Sequence, residues 1–205
     1  MPMEKVPDIV VGRLPLYLRT LNYLMEEGYE VVSSQELGRR LGISPAQIRK
    51  DLSYFGEFGK QGAGYDVNYL RTQLKHILHV DGVWPVALVG CGALGHALAN
   101  YNGFVTKGFE ITLIFDNDPA KIGQVVAGKV IHDVADMPRL ICEQGIRIAI
   151  VAVPSSAAQA IVDVLVRCQV RAILNYAPIN ISVPPGVQVQ NIDPSVHLQR
   201  MTYYL

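Results

Sequence analysis

A glycine-rich turn after an apolar run holds the residues with the clearest chemical potential. The run Trp84–Val89 is followed at once by Gly90-Cys91-Gly92-Ala93-Leu94-Gly95 and then by a helical stretch. In a G-x-G-x-x-G turn between a strand and a helix, the first glycine permits the tight turn and the second lets the backbone approach a pyrophosphate. The third allows the helix to pack closely on the strand. The pattern therefore predicts a dinucleotide site on these six residues.

An acidic residue follows at the spacing that such a site requires. The next predicted strand, Ile111–Phe115, ends in Asp116, 21 residues after Gly95. A carboxylate there can accept hydrogen bonds from both ribose hydroxyls of an adenosine and would repel a 2′-phosphate, so it favours NAD(H) over NADP(H). A Rossmann-like domain that holds another nucleotide, such as coenzyme A, or none, stays open as the alternative.

The elements around this site predict an α/β fold. Strands and helices alternate after residue 81, which predicts a doubly wound parallel sheet with its ligand beyond the C-terminal strand ends. The remaining cofactor contacts are expected there, from Val153, Pro154, Asn175, Tyr176 and Ala177.

A second set of polar side chains lies on a predicted helix that begins at Ser44-Pro45. Ile48 and Leu52 repeat at i, i+4 and are expected to face inward. The outward residues are then Gln47, Arg49, Lys50, Ser53 and Tyr54. A helix of this size fits the major groove of DNA, where Gln pairs with adenine and Arg or Lys with guanine, while the other polar groups can hold phosphates.

The segments on either side of this helix predict a winged helix-turn-helix. A helix over 33–41 and a Gly42-Ile43 turn precede it. Four glycines between residues 56 and 64 indicate a β-hairpin wing, with Lys60 at its tip and Tyr65 at its end as further DNA contacts. A helix is also expected over 8–27, where a kink at Pro15 leaves a two-piece helix possible, and another from Asp66 to His79. Because charged helix faces are often only solvated, spacing alone leaves DNA binding open.

Composition sets limits on the function class. The chain has 205 residues, 50% of them hydrophobic, and a net charge of zero, with a mean hydropathy of +0.22. These values predict a globular protein with a sizeable core and exclude a bulk polycation. No apolar run of membrane-spanning length and no secretory signal are evident, so we expect no membrane partner and a reduced cytoplasmic setting.

The apolar spacing changes near residues 80–84, from helical to short β-branched runs that alternate with helical ones. We therefore expect a winged-helix domain over 1–80, a nucleotide-binding domain over 81–192 and a helical segment over 193–205. Residues 39–60 carry five basic and two acidic side chains, a local excess of +3. This excess lies on the predicted helix-turn-helix and wing.

The second half lacks the acid–base pair that a dehydrogenase places beside a nicotinamide. Tyr176 is the best candidate acid and Tyr101 the next, but no Ser/Tyr/Lys arrangement with helical spacing is present. A cofactor site without visible chemistry favours a role in which the cofactor is the signal. We therefore expect a protein that is not an enzyme, and assign no catalytic residues.

The three cysteines have no metal-like spacing, so no metal ligands are assigned. Cys91 lies at a helix N-terminus, a setting that lowers a thiol pKa, and both a redox role and simple packing stay open for it. Cys142 and Cys168 are interpreted as helix-packing residues.

The string Gln47–Lys60, followed by Gly62 and Gly64-Tyr65, closely resembles the Rex family of redox-sensing transcriptional repressors. The resemblance covers the whole chain, through G-x-G-x-x-G, Phe115–Pro119 and Asn175–Pro178. It implies a homodimer that binds a palindromic operator in double-stranded DNA and represses genes of fermentation and anaerobic respiration. A high ratio of NADH to NAD⁺ would release it.

The resemblance also implies a switch made of Arg19, Tyr101 and Asp193. Asp193 would pair with Arg19 when oxidised cofactor is bound and interact with Tyr101 in the other state, while the last helix is exchanged between subunits. Gln61 and Ala63 in the wing, and Pro194 after Asp193, depart from the residues expected of the family.

Two other functions remain possible from the sequence. One is a small NAD-dependent oxidoreductase whose helical N-terminal region serves dimerisation, which turnover would reveal. The other is a coenzyme A or nucleotide carrier, favoured only if Asp116 proved irrelevant to binding.

Overall fold

The computed structural model describes residues 6–60 and 63–205. The chain divides into two compact units, residues 1–82 and 83–205, and the segment 193–205 groups with the second. Within the described ranges, no helix combines the length and apolar character needed to cross a bilayer.

Unit 1 is built from helices and a small sheet. Its helices are α1 (Asp8–Val11), α2 (Leu14–Glu26), α3 (Ser34–Leu41), α4 (Pro45–Ser53) and α5 (Val67–Ile77), and its strands are β1 (Val31–Val32), β2 (Gly59–Lys60) and β3 (Gly64–Asp66). The apolar stripes of α2 to α5 meet in one core around Tyr17, Leu21, Ile48 and Leu70. Ile48 and Leu52 face inward, as the spacing predicts.

Short-range signals place the helix starts. The side chains of Ser33, Ser44 and Asp66 accept hydrogen bonds from backbone N–H groups in the first turns of α3, α4 and α5. Each cap satisfies a donor that the helix itself leaves unpaired. The helical stretch expected over 8–27 is two helices, as the sequence allowed, but the break lies at Gly12-Arg13 and not at Pro15. Pro15 lies in the first turn of α2, where its missing N–H costs nothing, and so introduces no kink.

The predicted wing is present as an antiparallel hairpin of β2 and β3. A third strand, β1, pairs with β3 on its other side. Sequence reasoning missed β1 because two residues carry no detectable periodicity. Gln61, Gly62 and the side chain of Lys60 lie outside the described part of the chain.

Unit 2 is a doubly wound α/β domain. Its strands are β4 (Trp84–Val89), β5 (Phe109–Asp116), β6 (Val125–Val126), β7 (Lys129–Asp133), β8 (Ile148–Val151), β9 (Ala172–Asn175) and β10 (Gln188–Asn191), and its helices are α6 (Ala93–Ala99), α7 (Met137–Glu143), α8 (Ser155–Arg167) and α9 (Pro194–Thr202). The sheet order is β10-β9-β8-β4-β5-β7-β6. All strand pairs are parallel except β6 with β7.

The six parallel strands have the Rossmann order 3-2-1-4-5-6 when numbered along the chain. The predicted fold class is confirmed. Along β4 the side chains alternate between two buried layers, with Val86 and Leu88 in one and Ala87 and Val89 in the other. Burial on both faces explains why the sequence of β4 is continuously apolar. The strand order reverses between β4 and β8, where such folds bind their ligands.

Candidate functional site

The glycine turn lies at the point where the strand order reverses. Gly90 has a φ of +95°, and a Cβ there would come within 2.5 Å of the Ala152 carbonyl oxygen. A Cβ on Gly95 would overlap the Gly90 carbonyl oxygen. A Cβ on Gly92 would instead meet nothing within 4 Å. Packing therefore requires the first and third glycines, while the second leaves an open approach to the backbone.

The exposed part of this turn is a short stretch of backbone. Gly92, Ala93 and Leu94 are exposed, whereas Cys91 and Gly95 are buried. Because β8 is the parallel neighbour of β4, with Val151 opposite Val89, the segment after β8 lies beside the turn. That segment carries the half-buried Val153 and the exposed Pro154. The structure thus brings two of the predicted cofactor-binding segments to one edge of the sheet.

Asp116 anchors this turn from the end of β5. Its Oδ2 accepts hydrogen bonds from the Cys91 backbone N–H at 2.8 Å and from Lys121 Nζ at 3.2 Å. Its Oδ1 accepts one from the Asp118 backbone N–H at 2.9 Å. Burial would raise the pKa of Asp116, but these hydrogen bonds outweigh it and lower the pKa, so the carboxylate is ionised.

These contacts change the role predicted for Asp116. A carboxylate offers about four acceptor positions, and here three are filled from within the chain. This arrangement leaves one acceptor position for a ribose hydroxyl, and the acceptance of both hydroxyls by Asp116 stays a prediction. The half-exposed Asp118 lies next to it, with Lys121 Nζ 3.7 Å from its carboxylate.

The Asn175 side chain holds the loop that follows β9. Its side chain is fully buried, and its Nδ2 contacts the carbonyl oxygens of Ala177 and Ile179 at 3.1 Å and Oδ1 of Asn191 at 2.9 Å. Its Oδ1 accepts from the Ala177 N–H at 3.0 Å. The cofactor contact by Asn175 stays a prediction, and in this structure every polar atom of the side chain already has a partner in the chain.

The loop that Asn175 holds forms one wall of a cavity of about 470 Å³ at the C-terminal ends of β9 and β10. The cavity is lined by Ala177, Pro178, Ile179, Asn180, Asn191, Ile192, Asp193, Val196 and His197. Two predicted residues, Ala177 and Asp193, meet here. His197 and Asn191 were missed, because neither belongs to a local motif. The volume lies in the range of small-ligand sites.

Asp193 caps α9 from the edge of this cavity. Its Oδ1 accepts hydrogen bonds from the Ser195 backbone N–H at 2.9 Å and from the Ser195 hydroxyl at 2.6 Å. These bonds lower the pKa of Asp193, and the nearby His197 lowers it further. The residue is half-buried and carries a negative charge at the cavity wall.

Tyr176 and Tyr101, the two candidate acids, lie in different environments. Tyr176 is half-buried in the sheet layer of Val86 and Leu88. Tyr101 is exposed and packs edge-on against Phe104, with ring centroids 5.1 Å apart. A Cβ on Gly103 would overlap the Tyr101 ring, so Gly103 makes room for this side-chain position.

Cys91 does not have the environment of a reactive thiol. Burial raises its pKa, and the charge of Asp116 raises it further. A thiolate is the nucleophilic form. Of the two readings that the sequence leaves open, the structure favours packing.

Helix α4 presents most of the residues predicted to contact DNA. Arg49, Lys50 and Ser53 are exposed, and Tyr54 is half-buried. Arg49 donates to the Ser34 hydroxyl at 2.9 Å. Burial raises the pKa of Tyr65, while the charge of Arg49 opposes that rise. The charge of Arg49 on the helix is therefore felt at Tyr65 of the wing.

Gln47 departs from its predicted orientation. It is half-buried, and its Nε2 donates to Asp51 Oδ1 at 2.7 Å. The expected free amide, ready to pair with adenine, is not seen. Asp51 itself was missed, although its position three residues after Ile48 places it on the inward face of α4.

Comparisons with known proteins agree with both halves of the chain. A family model described as "Putative DNA-binding protein N-terminus" matches residues 5–53, and one described as "CoA binding domain" matches residues 81–179. A redox-sensing transcriptional repressor Rex of Chloroflexus aurantiacus is 57% identical over 97% of this chain and 94% of its own length. The chain belongs to the Rex family. A Rex of Brevibacillus brevis is 45% identical over 98% of each chain.

Solved structures of Rex repressors have the same fold. The structure of RSP, a Rex-family repressor, in complex with β-NAD⁺ and operator DNA matches with a TM-score of 0.93 and 37% identity, over 98% of this chain and 93% of that one. RSP in complex with β-NADH matches with a TM-score of 0.89 and 35% identity, over 98% and 94%. These Rex relatives are named repressors and not enzymes, which disfavours the oxidoreductase alternative.

Proposed function

We propose that this chain is a DNA-binding transcriptional repressor that senses the ratio of NADH to NAD⁺ and leaves its operator when NADH binds. The observation that carries the proposal is the match, over 98% of the chain, to a repressor structure that holds both β-NAD⁺ and operator DNA. Unit 1 would bind the operator and unit 2 the cofactor. The name of the family model for residues 81–179 keeps coenzyme A as a competing ligand to be tested.

The DNA contacts are assigned to α4 and the wing. Arg49 and Lys50 are exposed cations on a helix of suitable size for the major groove. Ser53 and Tyr54 would hold phosphates, as would Lys60 and Tyr65 of the wing. Gln47 would read a base only if its amide left Asp51, so in the free protein its role is to complete the packing of α4.

The NAD(H) site is assigned to the edge where the strand order reverses. The open backbone at Gly92, Ala93 and Leu94 fits a pyrophosphate, because no side chain fills the space that a Cβ on Gly92 would enter. Gly90, Cys91 and Gly95 shape the turn. Asp116 holds it and offers one acceptor position to a ribose. Val153, Pro154, Tyr176 and Ala177 would lie along the bound dinucleotide.

Discrimination between the two cofactor forms must arise at the nicotinamide. NAD⁺ and NADH share the adenosine, both riboses and the pyrophosphate, and differ in one positive charge and in ring planarity. A ligand shifts a conformational equilibrium only by its differential affinity for the two states. The cavity at the ends of β9 and β10 is the candidate, because Asp193 places a negative charge on its wall.

A homodimer would complete the site. Helix α9 and the residues after it expose Val196, Leu198, Met201, Tyr203 and Tyr204, which the rest of the described chain leaves uncovered. We assign this surface to exchange with a partner subunit. Two recognition helices would then meet a palindromic operator one duplex turn apart, roughly 34–36 Å.

The proposed switch consists of three residues. Arg19 is exposed on α2, Tyr101 is exposed in unit 2, and Asp193 lines the cavity. Asp193 would pair with Arg19 when the oxidised cofactor is bound. In the other state it would interact with Tyr101 instead. The proposal places the repressor in the cytoplasm, where NAD(H) and DNA are both available.

Selection from a random duplex pool, followed by fluorescence anisotropy with each cofactor, tests the proposal. Specific binding that NADH reverses and NAD⁺ does not is the expected result. Failure to select any duplex under all cofactor conditions would overturn the DNA-binding assignment. Equal or tighter binding of coenzyme A in competition would overturn the cofactor assignment.

A further inference from the structure

Two cysteines that are 26 positions apart in the chain come together in unit 2. Cys142 lies in the last turn of α7 and Cys168 caps the end of α8. The strands that follow these helices, β8 and β9, are parallel neighbours with Ile148 opposite Ala172. The ends of the two helices are therefore side by side at the same edge of the sheet.

Further contacts join the segments that leave the two helices. Arg147 donates to the Gln169 carbonyl oxygen at 2.9 Å, and the Arg171 N–H donates to the Arg147 carbonyl oxygen at 2.9 Å. Ile146 and Cys168 belong to the same buried core. This bonding fixes the end of α7 against the end of α8.

The two thiols have different environments. Cys142 is exposed and Cys168 is buried, with only 7% of its surface accessible. Burial raises the pKa of Cys168, and the charge and hydrogen bond of the neighbouring Cys142 raise it further, while Arg167 opposes the rise. An oxidant from solution therefore reaches Cys142 first, with Cys168 next to it.

We propose that Cys142 and Cys168 form a reversible dithiol–disulfide site that is oxidised by hydrogen peroxide. The Cys142 thiol loses its proton and the thiolate attacks one peroxide oxygen; the O–O bond breaks, a sulfenic acid forms, and the departing hydroxide takes up that proton to become one water. The Cys168 sulfur then attacks the sulfenic sulfur, an S–S bond forms, and the hydroxyl leaves with a proton as a second water. Two thiols are oxidised by two electrons and one peroxide is reduced to two waters.

The site is separate from the proposed cofactor site. It lies where helices lead into the N-terminal ends of β8 and β9, whereas the glycine turn and the cavity lie at the C-terminal ends of the strands. The disulfide should therefore form with NADH present or absent. NADH affinity should change less than about twofold on oxidation, a difference well under 1 kcal/mol.

Peptide mapping of the full chain tests the proposal. Reduced protein is treated with one equivalent of hydrogen peroxide, alkylated under denaturing conditions and digested with trypsin. Cleavage after Arg139, Arg147, Arg167 and Arg171 gives peptides 140–147 and 168–171, each with one cysteine. The expected product is these two peptides joined by a disulfide, with Cys91 alone alkylated.

Three variants distinguish the roles of the thiols. Cys91→Ser should form the linked peptides as the parent does. Cys168→Ser should leave a sulfenic acid on Cys142 that dimedone labels, and Cys142→Ser, at an exposed position, should leave Cys168 alkylatable. A link through Cys91, a link between two copies of Cys142, or a persistent sulfenic acid on Cys142 in the folded parent would overturn the proposal.

Discussion

The guanidinium of Arg13 donates two hydrogen bonds to the carboxylate of Asp51, from Nε at 2.6 Å and from Nη2 at 2.7 Å. The Tyr17 hydroxyl and the Gln47 amide fill the remaining acceptor positions at 2.6 and 2.7 Å. Asp51 is fully buried on the helix proposed to enter the major groove. Because Arg13 and Tyr17 belong to the α2 region, this network fixes the orientation of α4 on the body of unit 1.

Asp51→Asn should destabilise unit 1 and weaken operator binding without affecting the cofactor. Removal of one partner from a buried ion pair leaves the other charge uncompensated and typically costs about 3 kcal/mol. Thermal unfolding followed by circular dichroism and an NADH titration would measure both effects. Tyr17→Phe, which removes one hydrogen bond and keeps the ion pair, should cost about 1 kcal/mol. Unchanged stability in Asp51→Asn would refute the positioning role.

The same network predicts a pH dependence. Burial would raise the pKa of Asp51, but hydrogen bonds from Arg13, Tyr17 and Gln47 outweigh it, and the net shift is downward. A carboxylate with a lowered folded pKa contributes stability above its unfolded pKa, near about 4, and that stability is lost as pH falls through the folded value. Denaturant unfolding between neutral pH and pH 3 should show the loss. The free energy of unfolding of Asp51→Asn should depend less on pH over this range. An identical pH dependence in the parent and the variant would contradict the contribution of Asp51.

Arg49→Ala should lose operator affinity while NADH binding survives. The side chain is exposed on α4 and is held by Ser34 at 2.9 Å, which orients its guanidinium. Loss of a base or phosphate contact typically costs about 1–3 kcal/mol. Arg39→Ala is the matched control, because Arg39 is also an exposed arginine but is paired with Glu36 on α3. Equal losses in the two variants would show that general charge, and not α4, governs binding.

Asp116→Ala should weaken NADH binding by at least about tenfold, close to 1.4 kcal/mol. The substitution frees the Cys91 N–H and removes the anchor of the glycine turn. Asp118→Ala, which removes a neighbouring carboxylate but leaves that anchor in place, is the comparison. A titration followed by NADH fluorescence measures the NADH affinity of both variants. A larger effect in Asp118→Ala would assign the ribose to that residue instead.

Asp193→Asn should leave the chain folded but blunt the effect of NADH on operator binding. Asparagine is also a good N-cap, so α9 keeps its start while the cavity wall loses its negative charge. Ser195→Ala removes a hydrogen-bond partner of Asp193 but retains the negative charge. This variant should therefore leave the operator normally when NADH is added. Operator anisotropy at rising NADH measures the response. If release by NADH were unchanged in Asp193→Asn, the proposed switch would be wrong.

Elements that begin with a local signal were predictable, whereas β1 and the break between α1 and α2 carry no such signal. Ser33, Ser44 and Asp66 act as caps within three residues, and β4 with its glycine turn combines an apolar run with a positive-φ requirement at Gly90. These features need no knowledge of tertiary structure. The alternation of strand and helix then restricted the topology to a parallel sheet.

The roles of individual polar residues were less predictable. Asn175, Asp51 and Gln47 satisfy their hydrogen bonds inside the chain, with partners as far as 38 positions away. Sequence can show that a residue is polar but not whether its partner is a ligand or a distant backbone group. The proposed pairing of Cys142 with Cys168 could not be seen in the sequence for the same reason, because it depends on the adjacency of β8 and β9.

A thermodynamic cycle tests the central claim most directly. NADH affinity is measured by fluorescence with and without saturating operator, and operator affinity by anisotropy with and without saturating NADH. Linkage requires the two ratios to be equal, and we predict that each ligand weakens the other by at least about tenfold, with a smaller factor for NAD⁺. Independent binding of NADH and operator, with both ratios near one, would contradict a redox-sensing repressor.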